Sequence, residues 1–342
     1  MAMIKIINPG LFTTIQDRGR WGYQRFGMPV AGAMDLFSLR VSNILVGNNE
    51  YDAALETTLL GPEILFDCDE LISITGANMG PKINNSPVPM WTTLFIQAGD
   101  KLSFSKIKSG FRSYIAFSRG LDVPEIMGSR STFIRGNLGG YNGRKLNSKD
   151  EISLGNKPIG NTGSYLPKEF IPVYAKDTTI RVILGPQDDY FTEEAKKTFL
   201  SSQYTITNEA DRMGYRLDGP KIQHVEGPDI ISDGIVFGSI QVPGDGLPII
   251  MMADRQTTGG YTKIAVVITP DLPILAQMSP GSTMNFKSIS IEKSHKIYKE
   301  YEEGLQRIKK FTEQNRFNIY DTKNLKLNIN GKNFKVDTRE IL

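Results

Sequence analysis

The chain has 342 residues, with 40 basic and 37 acidic side chains and a formal net charge of +3. This near balance gives no case for a nucleic-acid or membrane-surface protein, since both usually carry a basic excess. One cysteine, Cys68, excludes an internal disulfide and a multi-cysteine metal site, and the two histidines exclude a histidine-rich metal centre. No signal peptide and no apolar run near the ~18 residues of a membrane span are visible, so we expect a cytoplasmic protein.

Short apolar segments bounded by glycine and proline recur along the chain and predict a mostly β protein of barrels or sandwiches. The predicted strands are Ile4–Ile7, Ile64–Phe66, Leu71–Thr75, Leu102–Phe104, Tyr114–Phe117, Ile180–Leu184, Ile264–Ile268 and Met284–Phe286. Apolar and capping patterns predict helices over Asp35–Val46, Thr192–Leu200, Asp271–Met278 and Ile297–Phe311. Because long helices do not alternate with the strands, a doubly wound α/β sheet is disfavoured.

An internal duplication is indicated by two similar segments, residues 96–104 and 278–286. Each leads from a polar turn containing glycine into an alternating strand. Residues 156–177, rich in Gly, Pro and polar side chains, form the best linker candidate. We therefore predict one β domain over residues 1–165 and a second over residues 166–295.

The C-terminal region, residues 296–342, differs from both predicted domains. It begins with the predicted helix and continues into Leu325–Val336, which alternates strictly around Asn330-Gly331. An Asn-Gly pair between alternating segments is a strong signal for a hairpin with a two-residue turn. We interpret this region as an appendage of one helix and one hairpin.

The leading candidate site is a polar, glycine-rich elbow, Asp254–Tyr261, between the apolar runs Leu247–Met252 and Ile264–Ile268. Its ligand-holding groups are the side chains and backbone N–H groups of Asp254, Gln256, Thr257, Thr258, Gly259 and Gly260. The aspartate can accept hydrogen bonds or act as a base, the amide and hydroxyls can orient an amide- or urea-like group, and the glycine N–H groups could stabilise an oxyanion. A second tight turn, Gln241–Gly246, could face this elbow. The alternative is an ordinary turn.

A second polar cluster, near the N-terminus, contains Gln16, Asp17 and Arg18, followed closely by Arg20. An aspartate flanked by arginines could be a self-neutralising surface set of little energetic value. The neighbouring glycines and aromatic residues instead indicate a tight, partly buried loop, where fixed charges usually have a function.

Two further segments are candidates. The glycine-rich segment Gly128–Arg144 can expose backbone N–H groups to an anion, and Arg130 or Arg144 could pair with a carboxylate or phosphate. It matches neither a Walker A loop nor a dinucleotide fingerprint, and the alternative is a glycine-rich turn. For Asp211-Arg212-Met213-Gly214 we favour a structural role, a sharp turn with its ion pair inside.

Together the four segments resemble one family, the biotin-dependent carboxyltransferase or allophanate hydrolase subunit 2 family, over about residues 3–310. The motifs that carry the resemblance occur in the family's order and are Thr14–Gly19, Gly128–Thr132 with Gly139–Arg144, Asp211–Gly214 and Ala253–Tyr261. The resemblance implies two cyclophilin-like β domains. It also implies a partner of the allophanate hydrolase subunit 1, or KipI, type. In 5-oxoprolinase complexes a third, LamB/YcsF-type subunit joins this pair.

The resemblance leaves three functions open. The favoured one is a subunit of an ATP-dependent 5-oxoprolinase, in which Arg130 or Arg18 holds the carboxylate of 5-oxo-L-proline and the Asp254 elbow orients its amide. The second is a carboxyltransferase component acting on urea or a related amide, with biotin carried on another chain, since no Met-Lys-Met biotinylation motif is present. The third is a non-catalytic antagonist of a KipI-type partner. We expect no covalently bound cofactor and no metal; ATP is used by the complex, and this chain has no nucleotide motif.

Overall fold

The computed structural model of the chain describes residues 2–159 and 163–315 in full and the backbone of residues 322–329 and 332–339. The prediction of a mostly β fold is confirmed. Four α-helices lie in these residues: α1 (Leu36–Val46), α2 (Glu193–Ser201), α3 (Leu272–Ala276) and α4 (Ile291–Gln314).

In residues 2–159, which the structure describes and which we call the first half, eleven strands form two sheets. The strands are β1 (Met3–Asn8), β2 (Phe12–Gln16), β3 (Ala54–Thr58), β4 (Glu63–Phe66), β5 (Glu70–Asn78), β6 (Lys82–Ile83), β7 (Ser86–Pro87), β8 (Thr93–Ile96), β9 (Lys101–Ser103), β10 (Ser109–Phe117) and β11 (Glu151–Ser153). One sheet has the order β11-β1-β4-β9-β6-β7 and the other β2-β3-β10-β5-β8. Both contribute side chains to one apolar core, including Ile4, Ile64, Ile74 and Ile115. Since each sheet buries one face against the other, the first half is a two-sheet β unit.

Residues 177–288, which we call the second half, form a closed barrel and a small separate sheet. The strands are β12 (Asp177–Leu184), β13 (Gln203–Ile206), β14 (Gly214–Asp218), β15 (Asp229–Gly234), β16 (Ser239–Gln241), β17 (Ile249–Met251), β18 (Thr258–Tyr261), β19 (Lys263–Val267) and β20 (Thr283–Ser288). The barrel order is β12-β19-β16-β17-β14-β13-β20, and β15 with β18 makes a separate two-stranded sheet. The barrel core includes Ile180, Tyr204 and Ile264, and α2 adds Phe199 to it.

The helices differ little from prediction except α4. Asp35 caps α1 through a hydrogen bond from the Ser38 N–H (2.9 Å), and Gly47 ends it at φ 83°. The predicted Asp271–Met278 helix is a 3₁₀ turn, Thr269–Asp271, followed by α3. The α4 helix begins at Ile291 instead of Ile297, because Ser290 caps it there by accepting from the Lys293 N–H.

The C-terminal region packs on the first half through α4. Leu305 and Ile308 of α4 are buried against Val41 and Leu45 of α1. The predicted hairpin is confirmed in its backbone: β21 (Thr322–Ile329) pairs antiparallel with β22 (Lys332–Arg339), and Asn330-Gly331 between them lies outside the described residues. The predicted limits of the domains stay predictions. Among the described helices, none is both long and apolar enough to cross a membrane.

Candidate functional site

The elbow of the second half contains a buried turn and a strand. After β17, Asp254 and Arg255 are both buried, and burial lowers the pKa of Arg255 to about 10. The chain then enters β18, whose Gly259 lies opposite Asp233 of β15. Thr258, Gly259 and Gly260 are therefore strand residues in a small sheet beside the barrel, which places their N–H groups differently from those of a tight turn.

Asp254 is held in an ion pair that joins the two halves. Its two carboxylate oxygens accept from Nε and Nη2 of Arg212 at 3.0 and 2.9 Å. The same guanidinium donates through Nη1 to Glu56 of β3 and through Nη2 to the Gly32 carbonyl at 2.6 Å. The sequence motif predicted an ion pair inside the turn, whereas Arg212 pairs with carboxylates distant in sequence. Such bidentate, charge-assisted contacts fix both groups strongly.

The state of this buried group follows from its partners. Burial raises the pKa of Asp254, while the charge and hydrogen bonds of Arg212 act in the opposite direction. For Arg212, burial lowers the pKa, but the charges of Asp254 and Glu56 outweigh it and raise the pKa overall. Each oxygen of Asp254 accepts one guanidinium N–H group of Arg212, so the ionised carboxylate and the guanidinium form a bidentate pair. At 8% exposure, Asp254 is poorly placed to meet a ligand directly.

A hydrogen-bond network extends this ion pair across the first half. Glu56 accepts from the Tyr114 hydroxyl at 2.7 Å, and that hydroxyl accepts from the Asp35 N–H at 2.8 Å. Asp35 in turn accepts from Gln277 Nε2 at 2.7 Å, beside α3 of the second half. The network is buried throughout, so it fixes the two halves against each other.

Asp17 organises the glycine-rich loop of the first half. Its Oδ1 accepts from the Ser129 and Ser131 hydroxyls at 2.7 and 2.5 Å, and its Oδ2 accepts from the Arg130 N–H at 2.5 Å. Gln16 next to it is also buried and donates from Nε2 to the Thr132 carbonyl at 3.2 Å. These two predicted site residues therefore hold the loop in place.

The predicted anion-binding arginines have different surroundings. Arg130 donates to the Val123 carbonyl at 3.1 Å and pairs with Glu125 at 3.2 Å. Arg144 makes two contacts with Asp150, at 2.7 and 2.8 Å. Arg18 is exposed, with its guanidinium 5.9 Å from the centre of the Tyr51 ring.

Arg20, which was not among the predicted site residues, is fully buried against the start of the glycine-rich loop. Its Nη2 donates to the Ser131 carbonyl at 2.6 Å, and Nε donates to the Ile126 carbonyl at 3.3 Å. Burial lowers the pKa of Arg20, and the charges of Asp17 and Asp254 oppose this. Arg20 therefore interacts electrostatically with both predicted site carboxylates, those of Asp17 and Asp254. Arg18 and Arg20 are two residues apart, so strand-like alternation would place both side chains on the same side. The sequence pattern therefore could not show that Arg20 is buried and Arg18 exposed.

An open cavity of about 310 Å³ lies where the elbow Asp254–Tyr261 meets the turn Asp211–Gly214. Its lining combines two carboxamides, two arginines, two carboxylates and apolar side chains: Arg135, Glu209, Asp211, Met213, Gly214, Arg216, Gln241, Ile249, Met251, Gln256 and Tyr261. Gln256 is the predicted site residue that reaches this lining. Gln241, from the turn expected to face the elbow, lies in β16 and also lines the cavity.

The cavity brings the two halves together at one place. Arg135 comes from a 3₁₀ turn of the first half, Ile134–Gly136, and the other lining residues come from the second half. Asp211 accepts from the Met213 N–H at 2.7 Å and stands 3.7 Å from Arg135. In the part of the chain that the structure describes, no group of three or more His, Cys, Asp and Glu side chains could hold a metal ion. The cavity offers hydrogen bonds and charge to a small polar ligand.

Comparison with known proteins gives consistent relatives. The model of the carboxyltransferase domain, subdomains A and B, matches residues 26–288. The chain is 35% identical to a 5-oxoprolinase subunit of Escherichia coli (strain K12), over 86% of this chain and 94% of that one. It is 36% identical to urea amidolyase of Saccharomyces cerevisiae, over 86% of this chain but only 17% of the relative.

A solved structure extends the similarity to the fold. The urea carboxylase of Kluyveromyces lactis matches with a TM-score of 0.85 and 30% identity, over 99% of this chain and 32% of that one. The family model covers most of the two halves that build the cavity. The chain belongs to the carboxyltransferase domain family with subdomains A and B.

Proposed function

We propose that this chain is a subunit of an ATP-dependent 5-oxoprolinase, which opens 5-oxo-L-proline to L-glutamate together with partner subunits. The observation that supports this best is the extent of the similarity: it covers 94% of the matching 5-oxoprolinase subunit of Escherichia coli. In urea amidolyase of Saccharomyces cerevisiae the matching region is 17% of a longer chain.

The cavity suits a cyclic amide. A lactam presents one N–H donor and one carbonyl acceptor next to each other, and a carboxamide presents the complementary acceptor and donors. Gln241 and Gln256 supply two carboxamides in one cavity of about 310 Å³, near the lower size limit of small-molecule sites. We assign the lactam ring to this cavity, with its amide held by Gln256, since Gln241 is only 2% exposed and its Nε2 donates to the Tyr261 carbonyl at 3.5 Å.

In this proposal the buried ion pair positions the cavity wall. Asp254 and Gln256 belong to the same elbow, so the hold of Arg212 on Asp254 also fixes where Gln256 lies. Asp254 is then a positioning residue. Asp17 has the corresponding role in the first half, since it holds the loop that carries Arg135.

Partner subunits complete the reaction. We propose a subunit of the allophanate hydrolase subunit 1, or KipI, type and a LamB/YcsF-type subunit, with the complex located in the cytoplasm. ATP would transfer its terminal phosphoryl group to the lactam carbonyl oxygen. Water would then add to that carbon, and the C–N bond would break with protonation of the nitrogen, which leaves an acyl phosphate. A second water would hydrolyse this acyl phosphate to the glutamate carboxylate and free phosphate, with ADP as the other product. Residues of the partners would bind ATP.

A second candidate function has one observation in its favour. The fold match to the urea carboxylase of Kluyveromyces lactis covers 99% of this chain. It therefore extends into the C-terminal hairpin of β21 and β22. A carboxyltransferase component that receives a carboxyl group from biotin on another chain would use the same cavity for urea.

Reconstitution tests the proposal. We expect the chain, co-purified with its two partner subunits, to produce glutamate and phosphate from 5-oxo-L-proline and ATP in equal amounts. An intact assembly that forms no glutamate would contradict the proposal. Carboxylation of urea with bicarbonate, ATP, a biotin carboxylase and a biotin carrier protein would then support the second candidate.

A further inference from the structure

Three arginines lie in the glycine-rich loop of the first half, and two of them already have internal partners. Arg130 is engaged by Val123 and Glu125, and Arg144 by Asp150. The third, Arg135, lines the cavity that contains Gln241 and Gln256. It is therefore the arginine of this loop that faces the proposed substrate.

The backbone around Arg135 is fixed by local hydrogen bonds. Phe133 and Leu138 exchange two of them: the Phe133 N–H donates to the Leu138 carbonyl at 2.8 Å, and the Leu138 N–H donates back at 3.1 Å. Asn137 closes the turn in the left-handed region at φ 48°. Because Asp17 holds the start of the same loop, the turn presents the Arg135 side chain from a rigid base.

The guanidinium of Arg135 keeps its hydrogen-bonding capacity. Its contact with Asp211 is 3.7 Å long, and the two side chains are 64% and 56% exposed. An exposed ion pair of this length contributes little. Asp211 also makes hydrogen bonds within its own turn: its Oδ1 accepts from the Met213 and Gly214 N–H groups at 2.7 and 3.1 Å. A carboxylate ligand that accepts both arms of the guanidinium would replace this weak contact with a stronger one.

We propose that Arg135 binds the carboxylate of the substrate, and that Asp211 competes for the same guanidinium when the cavity is empty. The substrate class is then a small cyclic amide with a carboxylate next to the ring nitrogen. The identity of that substrate rests on the proposed function. Arg135 comes from the first half and both carboxamides from the second, so each half recognises a different end of the ligand.

Binding of two lactams to the full-length chain tests this assignment. The probes are 5-oxo-L-proline and 2-pyrrolidinone, which has the same ring without the carboxylate, and affinity is measured by calorimetry or ligand-observed NMR. In Arg135→Gln we expect 5-oxo-L-proline to bind about 10- to 100-fold more weakly, the range expected for a lost charge-assisted hydrogen bond. Binding of 2-pyrrolidinone should change less than about twofold. Arg135→Lys should restore part of the affinity, because lysine supplies the positive charge but lacks the planar guanidinium that binds a carboxylate through two N–H groups.

Two further variants sharpen the result. Asp211→Asn keeps an oxygen for the Met213 and Gly214 N–H groups but removes the competing charge, so 5-oxo-L-proline should bind a few-fold more tightly. Arg307→Gln, an exposed position on α4 outside the cavity, is the matched control and should bind both lactams like the wild type.

The assignment is overturned if Arg135→Gln leaves 5-oxo-L-proline binding unchanged, or if it weakens both lactams equally. It is also overturned if the wild-type chain alone does not bind 5-oxo-L-proline although the assembled complex hydrolyses it. If the complex forms no glutamate but carboxylate binding still depends on Arg135, the proposed function fails and the assignment of Arg135 stands.

Discussion

Asp254 and Gln256 are two residues apart, yet one lies in the interior and the other on an open cavity. Both oxygens of Asp254 are occupied by Arg212, and its charge is balanced inside the protein. Gln256 has its carboxamide at a cavity that also contains Gln241 and Arg135. A polar cluster in sequence can therefore divide into one group that holds the fold and another that meets the ligand.

The same division appears in the first half. Asp17 is buried and accepts hydrogen bonds from three neighbours in the glycine-rich loop, whereas Arg135 of that loop is exposed at the cavity. Substitutions in the two groups should therefore differ: buried members should cost stability, and cavity members should cost binding with little change in stability.

Arg212 should show the largest effect. Arg212→Met leaves Asp254 and Glu56 buried without their counter-charge, and breaking such a pair costs about 3–5 kcal/mol of unfolding free energy. Urea denaturation followed by circular dichroism measures this. Arg216→Met removes an exposed arginine that pairs with Glu209 and should cost less than about 1 kcal/mol. Equal costs for the two variants would contradict the division.

Asp17 should have an intermediate effect. Asp17→Asn keeps one acceptor oxygen but loses the charge that the Ser129 and Ser131 hydroxyls and the Arg130 N–H meet, at a cost of about 2 kcal/mol. Hydrogen exchange should quicken over residues 129–144. The exposed Asp122→Asn serves as control and should change neither property. Unaltered exchange in the loop would show that Asp17 does not anchor it.

The ion pair of Arg144 and Asp150 should give a smaller, pH-dependent effect. Burial opposes ionisation of Asp150, but hydrogen bonds from Arg144 and the Asn147 N–H outweigh it and lower the pKa of this carboxyl. A lowered pKa in the folded state stabilises the protein above the unfolded value of about 3.9, and this stabilisation is lost as the pH falls through the folded value. The stability difference between wild type and Asp150→Asn should be about 0.5–1 kcal/mol at neutral pH, since Arg144 is partly exposed. It should shrink below about pH 4, and a constant difference would contradict this.

Much of the fold could be predicted because its signals are local. Asp35 before an apolar helical pattern and Gly47 after it marked α1, and Asn330-Gly331 between alternating segments marked the C-terminal hairpin. Each signal depends on residues within one or two turns of the chain. The start of α4 was missed because its cap, Ser290, precedes the apolar stripe from which the helix was predicted.

The site was harder to predict because its partners are distant in sequence. Nothing near Arg212 shows that its carboxylates are Glu56 and Asp254. Gly259 looked like a turn residue, because its strand partner Asp233 belongs to a segment without strand-like alternation. The sequence of the glycine-rich loop does not show that Arg135, and not Arg130, lines the cavity, because this depends on how the loop folds.

The most direct test of the division is Gln256→Ala, with unfolding and catalysis measured on the same preparation. We predict an unfolding free energy within about 0.5 kcal/mol of the wild type, because the side chain lines an open cavity. We also predict that kcat/KM for 5-oxo-L-proline in the assembled complex falls about 10- to 100-fold. Gln306→Ala on the exposed face of α4 should change neither quantity. Wild-type kcat/KM in Gln256→Ala, or a loss of stability comparable to that of Arg212→Met, would contradict the division between fold-holding and ligand-meeting groups.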